Sequence, residues 1–136
     1  DAVMKTKDAD MRYWSICSNQ SFANTRATAC LFDEEVPVDK AGYYTIAISR
    51  EADRPRNANA ACGVAWLKLA DDGDGAGDDD AGVIQIRNML ADPQFGQSIQ
   101  AVTEIGTEKE VMGDYLPTAQ YMMTNGFESL VACPLP

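Results

Sequence analysis

The chain contains no histidine. That absence removes Ser-His-Asp and Cys-His catalysis, histidine general-base chemistry and most zinc, copper and haem arrangements. Long hydrophobic runs are missing as well. No apolar stretch approaches the ~20 residues needed to span a bilayer, and the longest, residues 43–48 and 63–69, have strand lengths. The opening residues DAVMK carry no apolar leader segment, so export implies that a leader has already been removed. Positive charge is scarce: 11 Lys and Arg face 21 Asp and Glu, for a net charge of −10. A duplex or an anionic lipid surface repels such a body, so neither nucleic-acid binding nor membrane insertion is expected. The sequence also lacks G-x-S-x-G, a phosphate-binding loop and a Gly-rich dinucleotide fingerprint. Carboxylate chemistry stays open in principle, because 21 acidic residues offer many pairs, but no pair stands out.

What is present is one domain's worth of chain. Its 136 residues are 46% hydrophobic, enough for a single core and too apolar for a disordered chain. Residues 1–10 read as a polar lead-in and residues 11–136 as one domain. Within it, residues 11–17 (MRYWSIC), 27–32, 42–49 (GYYTIAIS), 62–69 and 82–87 (GVIQIR) read as strands, the third being the clearest alternation. One helix start is expected at Asp92, with Pro93 in the first helical position and Phe95, Ile99 and Val102 on one face. The tail from residue 111 is broken by Gly113, Pro117, Gly126 and Pro134. The expected fold is mainly β: an antiparallel β-sandwich, jelly-roll-like, with one short helix and two disulfides.

Four cysteines, Cys17, Cys30, Cys62 and Cys133, form no C-x-x-C, and a Cys-only zinc site at such spacings would be unusual. An even count in a small chain reads as two disulfides, against the alternative of four buried thiols. Of three connectivities, Cys17–Cys30 with Cys62–Cys133 is preferred. The first pair flanks a polar loop, and the second would tie the tail to the core. Disulfides place the chain in an extracytoplasmic compartment, whether periplasm, cell surface or secreted.

Two candidate sites follow from composition. Residues 71–80 (DDGDGAGDDD) are acidic and glycine-rich; Asp72, Asp74, Asp78 and Asp80 could present oxygens to calcium, a hard cation that takes six to eight of them. The stretch is no EF-hand, since the twelfth position from Asp72 is Val83, and a solvated loop is the simpler reading. Arg50, Arg54 and Arg56 surround Asp53 in SREADRPRN and could clamp a carboxylate or phosphate. The simpler reading again is internal pairing with acidic neighbours. Tyr13, Trp14, Tyr43, Tyr44 and Trp66 fall on expected strands and read as core.

The segments DMRYWSICSN, GYYTIAISREADRPRNA, GVAWL, IQIRNMLADPQFGQSIQ and VMGDYLP resemble a set of uncharacterised exported bacterial proteins. In that set the matching region looks like the C-terminal part of a longer polypeptide. A fainter similarity links Tyr13-Trp14-Ser15, Trp66-Leu67 and Ile84-Gln85-Ile86-Arg87 to the jelly-roll half of a family of paired domains of unknown function; here Lys68 replaces the usual Pro after Trp-Leu. The resemblance implies a fold and names no activity.

About five strands are too few for a closed two-sheet sandwich of seven or eight. The open edges would be poorly defended, since GYYTIAIS carries no charge and GVIQIR only Arg87. The expected function is therefore an exported, non-catalytic structural or interaction domain that packs against a partner chain or another copy, as a homo-oligomer. The alternatives are a calcium- or small-molecule-binding domain, and a carboxylate-based enzyme sharing a site with an upstream half.

Overall fold

A computed structural model describes residues 9–133. All but the last two residues of the expected lead-in lie outside the described residues. Asp10 is already part of the fold, its carbonyl accepting a 2.7 Å hydrogen bond from the Asp92 amide. The described chain contains five strands and two short α-helices: β1 (Met11–Asn19), β2 (Ala27–Phe32), β3 (Ile46–Ser49), β4 (Ala65–Lys68), β5 (Val83–Ala91), α1 (Glu108–Met112) and α2 (Thr124–Leu130).

The strands make a three-stranded sheet in the order β2-β1-β5 and a separate β3-β4 pair. Strands β1 and β2 are antiparallel, with Cys17 opposite Cys30 and a register irregularity between Ser18 and Asn19. The second pair departs from the expected antiparallel arrangement. Here β3 and β4 run parallel, Ile46 beside Ala65 through Ser49 beside Lys68. Parallel neighbours cannot be joined by a tight hairpin, and residues 50–64, containing two 3₁₀ turns, make the crossover. No sandwich is formed by these two small sheets among the described residues.

Two compact units divide the chain, one holding residues 9–14 with 87–121 and the other residues 15–86 with 122–133. The larger unit has a core of small side chains: Ala47, Ala58 and Val64 pack together, with Cys62, Trp66, Phe127 and Val131 against them. Leu67 is completely buried. The tight approach of β3 to its crossover follows from alanines at Ala47 and Ala58, which leave no room for a larger residue. Ile16 and Ser18 of β1, and Gln20 just past its end, are buried at alternate positions. The two polar ones are satisfied: Ser18 donates to the Lys68 carbonyl and the Gln20 amide donates to Asp72 Oδ1 at 2.6 Å.

In the smaller unit the helix expected from Asp92 does not form. Asp92 caps a turn instead, its carboxylate accepting from Gln94 N at 2.7 Å and its carbonyl from Phe95 N at 2.9 Å. Successive i→i+3 bonds then carry the chain through Ser98, Ala101 and Val102, with only Ile99–Ala101 as a 3₁₀ turn. Gly96 and Ser98 favour turns over an extended helix. Phe95 packs edge-on against Tyr115 at 4.8 Å. α2 lies in the tail, which reads as broken at the level of sequence, and α1 ends where that tail begins. α2 accommodates Gly126 because its Phe127, with the following Val131, is held by the core cluster.

Candidate functional site

Each side chain singled out in the sequence has a definite place. Both preferred disulfides form, Cys17–Cys30 and Cys62–Cys133, and no cysteine is free. The first joins directly opposed strand residues with Cα atoms 4.1 Å apart, a spacing close to that of a non-hydrogen-bonded antiparallel pair. The second fastens the residues after α2 to the end of the crossover.

The acidic loop holds itself together. Asp74 accepts from Ala76 N at 2.7 Å and Asp78 N at 3.1 Å, and these amides hold its carboxyl below the usual aspartate range. Asp78 accepts from Asp80 N at 3.0 Å. Asp72 receives Gln20, and Asp80 takes a 2.7 Å ion pair with Arg50. Asp72, Asp74, Asp78 and Asp80 are thus spent on four separate tasks. Among the described residues no three acidic or cysteine side chains converge as a metal site.

The three arginines also separate. Arg50 reaches the acidic loop, bonding Asp80 and the Asp79 carbonyl. Arg56 grips Glu128 through Nε and Nη2, at 2.9 and 2.7 Å. Among the described residues Arg54 forms no ion pair with a carboxylate. Its guanidinium carbon lies over Trp66, 4.2 Å from the ring centroid, and its Nη2 donates to the Ala58 carbonyl at 2.9 Å. Trp66 is fixed in turn by its indole N–H, which donates to Ser49 Oγ at 3.0 Å.

Arg54 and Trp66 form part of the wall of a cleft of about 240 Å³, together with Glu35, Leu31, Pro37 and Val64. Glu35 is positioned by its own local bond, accepting from Phe32 N at 2.9 Å across a 3₁₀ turn. Neither the stacking of Arg54 nor the part of Glu35 is visible in the sequence, because the residues come from separate segments. The nearest signal is Trp66 itself, the single Trp of the strand expected at residues 62–69.

A different surface lies along β5, a terminal strand of its sheet. None of its nine residues is fully buried; Ile84, Ile86, Met89 and Leu90 are exposed. Tyr13, expected as core, is exposed on β1, and so are Tyr43 and Tyr44. The last two follow a tight turn in which Asp39 Oδ1 accepts from Ala41 N and Tyr43 N, and Tyr44 bridges Val38. Strand β3 begins only at Ile46, so these two tyrosines fall in this irregular approach and not in the sheet interior. Among the described residues no helix is long and apolar enough to cross a membrane. No family model, curated protein or solved structure matches the chain.

Proposed function

We propose that this chain is an exported, non-catalytic interaction domain that receives a second polypeptide along the outer edge of β5. The observation that carries this reading is the strand itself. It stands at the end of its sheet with Ile84, Ile86, Met89 and Leu90 exposed and Arg87 as its sole charge. Proteins ordinarily blunt such an edge with charges, proline or a covering segment, because its free backbone groups template further strands. An extended segment added there would pair those groups and cover the isoleucines. The added strand would also enlarge the three-stranded sheet toward the jelly-roll-like sandwich that the sequence suggests. The two disulfides support an oxidising, extracytoplasmic setting. Its occupant is a second copy, or the upstream part of the longer chain that the resembling exported proteins carry.

Sedimentation of the oxidised chain at low micromolar concentration tests the reading. A dimer dispersed by Ile86→Lys identifies a second copy, with an interface expected to bury well over ~2,000 Å² if it is obligate. A monomer that binds an apolar dye, and loses that binding in Ile86→Lys, supports the separate-segment form. A monodisperse monomer that binds no such dye overturns the proposal.

A further inference from the structure

Beyond the edge of β5, the cleft beside Trp66 has the makings of a ligand site. Its walls carry one cation and one anion, Arg54 and Glu35, with Leu31, Pro37 and Val64 supplying apolar surface. Each charge is held by the fold and not by the other. Arg54 is stacked on the indole and tethered to the Ala58 carbonyl, and Glu35 is anchored to the Phe32 amide. Among the described residues neither group makes a salt bridge. In a chain of net charge −10, a guanidinium without a carboxylate partner is conspicuous, since carboxylates are plentiful. The other two crossover arginines have taken theirs, Asp80 and Glu128.

We infer that this cleft binds a small zwitterion, a free apolar α-amino acid. Its carboxylate would meet the guanidinium of Arg54, where the bond to Ala58 leaves further N–H donors available. The ammonium faces Glu35, and the side chain lies on Leu31, Pro37 and Val64. A ligand of one charge sign fits less well, because an anion meets Glu35 and a cation meets Arg54. Size points the same way. About 240 Å³ is below the usual range for drug-sized ligands and suits a molecule of few heavy atoms. Stacking on Trp66 limits the freedom of Arg54, so less entropy is lost when a carboxylate arrives.

The test is calorimetric and NMR titration of the oxidised chain with L-leucine, L-methionine and L-phenylalanine, following the Trp66 indole N–H. Saturable binding of at least one of them is expected, with the indole signal moving as the site fills. 4-Methylpentanoate, which is leucine without its ammonium, serves as the probe for charge matching. Arg54→Gln should lose about tenfold or more in affinity for the amino acid and for 4-methylpentanoate. Glu35→Gln should weaken the amino acid while binding 4-methylpentanoate at least as well as the parent chain does. A general loss of folding cannot imitate the Glu35→Gln pattern, and an amide spectrum of Arg54→Gln as dispersed as the parent's separates a lost contact from a lost fold. No saturable binding by the parent chain, or an affinity unchanged in Arg54→Gln, overturns the inference. Neither outcome bears on the edge of β5, which is read by association state.

Discussion

Arg56 holds Glu128 with three hydrogen bonds, two from its guanidinium to Oε2 at 2.9 and 2.7 Å and one from its own backbone amide to Oε1 at 2.8 Å. One residue thus engages both oxygens of a carboxylate 72 positions away and ties α2 to the crossover. Next to it the Asn57 amide donates to the Val131 carbonyl at 2.8 Å, and Thr124 Oγ1 donates to the Asp53 carbonyl at 3.3 Å. With Cys62–Cys133 these contacts clasp the C-terminal segment onto the β3-β4 connection.

The clasp has a pH signature. The guanidinium of Arg56 and then its amide hold the Glu128 carboxyl below the usual glutamate range. A carboxyl lowered on folding contributes stability that is complete above its unfolded value, about 4.3, and is lost as pH falls toward the folded value. Glu128→Gln should therefore destabilise the chain at neutral pH and flatten the acid limb of its stability curve below pH ~4.3. Denaturant titrations between pH 2 and 7 measure both effects. An ordinary Glu128 midpoint by NMR would contradict the assignment.

The two disulfides should differ in worth. They close sequence separations of 13 and 71 residues. On the chain-entropy account these correspond to about 3 and about 4 kcal/mol respectively. Urea unfolding of Cys17→Ala/Cys30→Ala and of Cys62→Ala/Cys133→Ala is expected to rank the second as the more damaging. Mass spectrometry of the unreduced chain should show no alkylatable thiol; four would end the extracytoplasmic reading.

Leu67 is wholly buried in β4, opposite Ile48 of β3. Its truncation in Leu67→Ala should cost about 3 kcal/mol, the sum of lost transfer energy and the cavity left behind. A loss well under ~1 kcal/mol, read from denaturant midpoints, would mean that β4 is not the centre of this unit.

The acidic loop should behave as ordered structure rather than as a solvated linker. Gly73 has a φ of +56°, and a Cβ there would run into the Asp78 carbonyl. Gly73→Ala is expected to cost at least about 1–3 kcal/mol, since both the left-handed backbone and the contact penalise it. Asp74→Ala should speed hydrogen exchange at the Ala76 and Asp78 amides, which its carboxylate now accepts from. Because its carboxyl is lowered on folding, acid should mimic that substitution as pH drops below the usual aspartate range. Unchanged exchange at both amides would remove the basis for this turn.

Where a signal was local, the sequence carried it. Short runs of apolar and aromatic residues placed β2 on its observed residues and put β1, β4 and β5 within a few residues of theirs, because strand-forming residues are neighbours in the chain. The polar loop between Cys17 and Cys30 pointed to the bridge that forms across two paired strands. Composition alone set the acidic character and ruled out histidine chemistry. Tertiary structure decided the remainder. Alternation does not say whether neighbouring strands are parallel, and the β3-β4 direction depends on how residues 50–64 cross over. Helix signals at Asp92 yielded to successive turns, while α2 formed at a glycine because Phe127 found a core to join. Three arginines within seven residues read as one cluster, yet they part toward Asp80, Trp66 and Glu128. Their partners lie in three distant segments, and a charge is committed only when the folded backbone brings one within reach of its hydrogen-bond donors.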